Sequence, residues 1–269
     1  MFRIFRQVRK EQLGSKRFRK YLAYALGEIA LVVVGILIAL QFNNADMDRQ
    51  DRVRERQYMA SLVSDLEMDI ENIEQAVEGN RIQIEGMDDL LGLMALGPGD
   101  DVHQRRMLVS SIKHTYWYLE ADMSEGAMSQ LKYSGGFEYI VNPEVVRAIV
   151  RYDQARETSR DVQLEIKRYF HAMESRQKTL FNLSLTKKAY EMIEADPLNN
   201  MFMPLETYDR LVREGNYLLT DDPAVLNAHY GDVLFYRTTL NNYNLIIMEQ
   251  RNIATSLIDL IRAEFGSDI

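Results

Sequence analysis

Residues 21–42 read YLAYALGEIALVVVGILIALQF, and this stretch decides the topology of the chain. Its residues are apolar or small except for one charged residue, Glu28. A helix of this length extends about 30 Å, which matches the hydrocarbon core of a bilayer. We therefore predict a transmembrane helix here, and the sequence contains no second run of this kind.

Positive charge is concentrated before this stretch. Residues 1–20 contain eight basic residues and one acidic residue, whereas the chain of 269 residues has a net charge of −8, so residues 21–269 carry −15. The positive-inside rule predicts a cytoplasmic N-terminus and an acidic body on the other side of the membrane. The basic residues are also predicted to bind anionic lipids at the cytoplasmic face. They are Arg3, Arg6, Arg9, Lys10, Lys16, Arg17, Arg19 and Lys20.

A cleaved signal peptide is the competing interpretation of the apolar stretch. Its length is about twice that of a usual signal-peptide core, it contains a carboxylate, and it lacks an A-x-A cleavage site. These features favour an uncleaved signal-anchor. Before it, Phe2, Phe5 and Val8 share one helical face between arginines, which predicts a short interfacial helix.

Helical periodicity dominates residues 43–269. Apolar residues recur every three or four positions from Ile70 to Met94, and again from Val233 to Ile261. This spacing is typical of a coiled-coil seam, and Asn80 is a polar core residue of the kind that fixes register or oligomeric state. Whether these seams pack within one chain or between chains stays open.

The fold class predicted is all-α: one transmembrane helix that continues into an elongated helical bundle with coiled-coil-like seams. The segments are a basic segment over 1–20, the transmembrane helix over 21–42 and a helical domain over 43–269. Within the domain, the first helix is predicted to reach Ala95.

Further helices are predicted near 102–119, from Ser124, and from Asn142-Pro143-Glu144 to about 184. Residues 197–220 are predicted to be irregular, with one turn or more of helix around 205–214. Asp222-Pro223 is predicted to start the last helix.

Small residues follow one ridge of the transmembrane helix. The spacings between these residues are multiples of four, and such rows let two helix backbones approach closely in lipid. The residues are Ala23, Gly27, Gly35 and Ala39. Glu28 borders the row, and a charged residue inside an apolar helix is costly enough to indicate a function. Glu28 is predicted to bind a neighbouring helix, with a cationic partner or proton conduction as alternatives. Ordinary membrane-helix composition is the alternative for the small residues.

Three consecutive aromatic residues, Tyr116, Trp117 and Tyr118, include the only tryptophan. They cannot all face one helical core, so at least one is predicted to be exposed or to contact a partner protein. A wide core at a helix end explains them equally well.

Sequence features of catalysis are missing. There is no cysteine, and we find no nucleophile elbow, phosphate loop or zinc-protease motif. His171-x-x-Glu174 and His229-x-x-Asp232 have the reverse order of a di-iron motif, and the histidines are predicted to lie at the surface or at helix ends. We expect no enzyme, no cofactor or metal, and no nucleic-acid binding.

The anchor resembles a known family. Gly27-Glu28-Ile29, the run from Gly35 to Gln41 and the pair Asn43-Asn44 are similar to an uncharacterised family of single-pass membrane-anchored proteins of Bacteroidetes-type Gram-negative envelopes. The match is looser at 131–135, Asn142 and 147–152, and Ala45 replaces the Trp that usually follows the asparagines. The resemblance implies an inner-membrane protein with a periplasmic helical domain, and it implies no activity.

These observations lead to a hypothesis of function. We expect a non-enzymatic scaffold or accessory subunit that binds other membrane proteins, either in a larger complex or in a homo-oligomer. The alternatives are a sensor that signals through a partner, and an ion-conducting oligomer built around Glu28.

Overall fold

The computed structural model describes residues 16–266 and residue 269, without the side chains of 16–19, 197 and 198. This part of the chain is all-helical, as predicted, and its residues divide into one compact unit up to Arg56 and another from Gln57. The α-helices are α1 Lys16–Ala95, α2 Asp101–His114, α3 Gly126–Tyr133, α4 Pro143–Leu180, α5 Lys187–Ala195, α6 Pro197–Met201, α7 Leu205–Asp209 and α8 Pro223–Phe265. Gly136–Tyr139 and Leu183–Thr186 are short 3-10 helices.

Helix α1 is 80 residues long and confirms the prediction that the first helix reaches Ala95. No proline interrupts it. It ends because Gly97 adopts a positive φ of 84° and Pro98 lacks the amide hydrogen that a further turn requires.

The predicted starts of the two other long helices are confirmed. The Asn142 side chain accepts a hydrogen bond from the Glu144 amide at 2.9 Å, and the Asp222 side chain accepts one from the Ala224 amide at 2.8 Å. Both are N-terminal caps followed by proline at the first helical position.

Several predicted boundaries are wrong. Helix α4 ends at Leu180 rather than near 184, because Phe181 becomes extended and forms an isolated antiparallel bridge with Leu218. Helix α2 ends at His114 rather than 119, and α3 begins at Gly126. The turn of helix predicted around 205–214 is confirmed as α7. Helix α6, by contrast, lies in a stretch that was predicted to be irregular.

The core of the unit from Gln57 consists of two clusters of buried apolar residues with polar positions between them. On α1, Leu66 belongs to one cluster and Ile73 to the other, and the buried Asp69 lies between them. Helices α4 and α8 repeat this order. On α4, the buried Ser159 lies between Tyr152 of the first cluster and Ile166 of the second. On α8, the buried Gln250 lies between Ala254 of the first cluster and Ile247 of the second. We call Asp69, Ser159 and Gln250 the polar layer.

The two apolar stripes are buried within the chain. On α8, every apolar residue of the predicted stripe from Val233 to Ile261 is buried. On α1, Ile73 and Met87 are fully buried, and so is Asn80. Asn80 is bonded to the chain itself, so its polar side chain sets an internal contact rather than an oligomeric state.

Three ion pairs show how α1 and α8 are aligned with each other. They join Glu67 to Arg262 at 2.6 Å, Glu74 to Arg251 at 2.6 Å and Asp88 to Arg237 at 2.7 Å. Residue numbers rise along α1 as they fall along α8, so the two helices are antiparallel. Such partly exposed pairs contribute little stability, about 0–1 kcal/mol each.

Candidate functional site

The predicted membrane-interface residues lie on an unburied helix surface. Every described residue of the stretch 21–42 is exposed, and Cβ atoms added at Gly27 or Gly35 would meet nothing within 4 Å. Within the described chain, α1 is the one helix long and apolar enough to cross a membrane, and none of its most apolar stretch is buried. A membrane anchor and a signal sequence share these properties.

The predicted lipid-binding residues are only partly described. Lys20 is exposed. Lys16, Arg17 and Arg19 belong to α1, but their side chains lie outside the described residues. The remaining basic residues of that prediction, and the interfacial helix at 2–8, also lie outside them. They are Arg3, Arg6, Arg9 and Lys10.

The three aromatic residues lie in a segment without regular secondary structure, so the prediction of a helix at these positions is wrong. All three are half-buried. Tyr116 packs edge-on against Tyr190, with ring centroids 5.1 Å apart, and the Tyr118 hydroxyl donates to Glu120 at 2.6 Å. Tyr116 and Tyr118 therefore pack against the chain's own core.

Residues 115–125, which we call the strap, link α2 to α3 without regular structure. Side chains bind its backbone in place of a helix or sheet. Asn80 both accepts from the Leu119 amide at 2.7 Å and donates to the Leu119 carbonyl at 2.9 Å. The Tyr243 hydroxyl accepts from the Ala121 amide at 3.0 Å. Because buried backbone groups need partners, these side chains determine the path of the strap.

The same face of α1 continues this pattern toward α3. Asn72 donates to the Asp122 carbonyl at 2.8 Å, and Asp69 accepts from the Ser124 amide at 2.6 Å. Asp65 then accepts from the Ala127 amide at 2.8 Å and so binds one of the free amides in the first turn of α3. We call Asp65, Asp69, Asn72 and Asn80 the polar ladder of α1.

Asp69 is the most buried carboxylate of the ladder. It also accepts a hydrogen bond from the Tyr152 hydroxyl. Burial raises the pKa of Asp69, although the bonds from Ser124 and Tyr152 and the nearby charge of Arg156 act in the opposite direction. Burial, followed by the charge of Asp69, raises the pKa of Tyr152.

A polar cavity of about 290 Å³ lies between the strap and α4. Its charged lining residues are Glu120, Asp122, Glu125, Arg156 and Arg160. A second cavity of about 230 Å³ shares three of them, Glu125, Arg156 and Arg160. The guanidinium of Arg160 pairs with Glu125 at 3.0 Å on the border between the two cavities.

Two charged groups of the cavity are left unused. The buried Nε of Arg156 has no hydrogen-bond partner, and the Asp122 carboxylate has no hydrogen bond or ion pair among the residues described. By contrast, Glu120 pairs with Lys167 at 3.1 Å. The site therefore offers one cationic and one anionic group to a ligand, and in the described chain no cluster of three His, Asp or Glu side chains could hold a metal.

One of the histidines was predicted wrongly. His229 is fully buried inside α8, whereas His114 is buried at a helix end, as the last residue of α2. Burial lowers the pKa of His114 to about 3, with the charge of Lys113 adding to the effect, and burial lowers that of His229 to about 4. His229 packs edge-on against Phe181, with centroids 5.7 Å apart.

His229→Leu is expected to remove a pH dependence of stability. Below the ordinary pKa of 6.5 the unfolded state binds a proton at His229, whereas the folded state does so only below about 4, so stability falls as pH falls through this window. Between pH 7 and pH 5, the buried His229 should lower the free energy of unfolding of the wild-type chain by about 2 kcal/mol. Urea unfolding of the full chain in detergent at both pH values measures this. The exposed His171→Gln is the control, and a pH dependence that His229→Leu leaves unchanged would contradict the assignment.

The polar ladder and the cavity were not predicted from the sequence. A signal for the ladder exists, because Asp65, Asp69, Asn72 and Asn80 fall at helical spacing beside the apolar stripe of α1. Only Asn80 stood out, because it interrupts that stripe. The cavity has no local signal, since its lining comes from the strap and from a helix about 35 residues later.

No protein-family model, no curated protein and no solved structure matches this chain.

Proposed function

We propose that the protein is a non-enzymatic, membrane-anchored scaffold or accessory subunit that binds other membrane proteins. In this proposal residues 21–42 span the inner membrane, the N-terminus is cytoplasmic and contacts anionic lipids, and the helical domain is periplasmic. The family resemblance of the anchor is part of the proposal.

The single observation that carries the proposal is the unburied apolar surface of 21–42, with a carboxylate inside it. No residue of its most apolar window is buried by the chain itself. In lipid, apolar residues alone do not drive helices together, but small residues and polar side chains do. Gly27 and Gly35 leave open space on the same ridge, and Glu28 lies at its edge. This arrangement suits a second helix that packs closely and accepts or donates a hydrogen bond to Glu28.

Enlarging the ridge is expected to release bound partners. In Gly27→Leu/Gly35→Leu, co-purification of membrane proteins with the tagged full chain from native membranes should fall about tenfold, because leucine side chains keep the helix backbones apart, and a loss of about 1.4 kcal/mol is a tenfold loss of affinity. The matched control is Val33→Leu/Ile36→Phe, which enlarges side chains on the opposite side of α1. If the wild-type chain is recovered only as a monomer, or if both double variants behave alike, the proposal is wrong.

The proposed anchor is expected to stay on the chain. N-terminal sequencing of the protein from membranes should find residues before 21, because the apolar stretch lacks a cleavage site. External protease added to spheroplasts should reach a C-terminal tag and leave an N-terminal tag intact. A mature N-terminus beyond residue 42 would identify a cleaved signal sequence instead, and the reverse protection pattern would overturn the orientation.

A further inference from the structure

We propose that the cavity between the strap and α4 binds an amino acid or a short peptide, with the ligand carboxylate at Arg156 and Arg160 and the ligand ammonium at Asp122. The inference goes beyond the subunit proposal, because it does not depend on what the apolar part of α1 contacts.

The cationic side of the cavity is built from two guanidinium groups one helical turn apart on α4. Arg156 lines the cavity, and its buried Nε has no hydrogen-bond partner in the described chain. A carboxylate fits the planar fork of an arginine guanidinium with two parallel hydrogen bonds. Arg160 is exposed, so the ligand carboxylate can replace Glu125 as its ion-pair partner.

The anionic side is Asp122, which the strap presents to the cavity. Its backbone is fixed, because its carbonyl accepts from Asn72 and the adjacent segment is bound at Ser124 by Asp69. Its carboxylate has no partner in the described chain. The neighbouring Glu120 is already neutralised by Lys167. One free carboxylate opposite two arginines selects a ligand that carries both charges.

The size and the lining of the cavities define the ligand further. A volume of about 290 Å³ lies at the lower end of ligand pockets, which extend from about 300 to 1,000 Å³. The charged lining disfavours apolar ligands, since the desolvated charges would lack partners. The second cavity begins beyond the Arg160–Glu125 pair and adds Ser129, Lys132 and Asp153. A ligand longer than one amino acid therefore has polar space to extend into.

Calorimetric titration of the full-length chain in detergent with glycylglycine tests the proposal. We expect saturable binding at one site per chain. N-acetylglycylglycine lacks the ammonium and glycylglycinamide lacks the carboxylate, and each should bind at least about tenfold more weakly, because each loses a charge-assisted hydrogen bond. Inorganic phosphate is the probe for a simple anion site.

Variants then locate the binding. Arg156→Met, Arg160→Met and Asp122→Asn should each weaken glycylglycine binding at least about tenfold. Arg151→Met is the matched control: Arg151 is on the same helix, lines neither cavity and pairs with Glu249 at 3.6 Å. Arg160 and Asp122 are exposed, so their variants keep the test valid if Arg156→Met fails to fold.

Four results would overturn the proposal. They are no saturable binding of glycylglycine to the wild-type chain, equal affinity for the blocked peptides, phosphate binding as tight as that of glycylglycine, and binding that Arg160→Met and Asp122→Asn leave unchanged. Saturable binding that only the cavity variants weaken, with Arg151→Met unaffected, supports it.

Discussion

Gly86→Leu is expected to destabilise the helical domain by more than about 3 kcal/mol. A Cβ atom at Gly86 would lie 2.0 Å from Nδ1 of His114 and 2.1 Å from its Cγ, so α1 and α2 can approach here only because position 86 has no side chain. The His114 ring is buried, so it has little room to move aside. Overpacking a core costs about 1–3 kcal/mol for small insertions, and leucine adds four carbon atoms.

The matched control is Gly92→Leu on the same helix. A Cβ atom at Gly92 meets nothing within 4 Å, so this change should raise stability by up to about 1 kcal/mol through helix propensity alone. Thermal unfolding of both variants in detergent, followed by circular dichroism, gives the comparison. Adding His114→Ala to Gly86→Leu should recover part of the loss. If Gly86→Leu and Gly92→Leu melt alike, the close approach of α1 and α2 is wrong.

Asp69→Ala is expected to cost about 4 kcal/mol and to loosen the strap. The substitution leaves two groups without their acceptor, the Tyr152 hydroxyl and the Ser124 amide. An unsatisfied buried polar group costs about 1–3 kcal/mol. Asp69 lies in the polar layer between the two apolar clusters, so apolar side chains of the clusters do not replace the lost hydrogen bonds.

Fluorescence of Trp117 is the direct measurement, because the only tryptophan of the chain lies in the strap. In Asp69→Ala the fluorescence transition should occur at lower urea than in the wild type. Asp65→Ala is the control, since it removes one acceptor at a helix start and should cost about 1 kcal/mol. Combining Tyr152→Phe with Asp69→Ala should cost less than the two changes added together. Equal losses for Asp65→Ala and Asp69→Ala would show that burial of Asp69 does not matter.

Features encoded locally were predictable from the sequence. Caps at Asn142 and Asp222 and the turn at Gly97-Pro98 depend on neighbouring residues, and the structure confirms them. The apolar stripe of α8 was also predictable, because burial of one face imposes helical spacing. These features determine the class of the fold and the ends of its long helices.

Features that depend on distant contacts were not predictable. Helix α2 stops at His114 rather than near 119, and the backbone of Leu119 is instead bound by Asn80 on another helix. Leu180 ends α4 because Leu219, far along the chain, donates to its carbonyl at 2.8 Å. The cavity follows from both effects, since it exists only where the strap lies against α4.

The antiparallel pairing of α1 with α8 has a consequence for the synthesis of the protein. The paired residues are separated by 149 positions at Arg237 and Asp88, and by 195 at Arg262 and Glu67. A ribosome adds about 5–20 residues per second, so α8 is synthesised many seconds after the part of α1 that it covers. During this interval Leu62, Leu66 and their neighbours are exposed to solvent or to chaperones. Loss of the last turns of α8 by a premature stop codon would therefore leave a nascent chain that never completes its core and is a target for proteases.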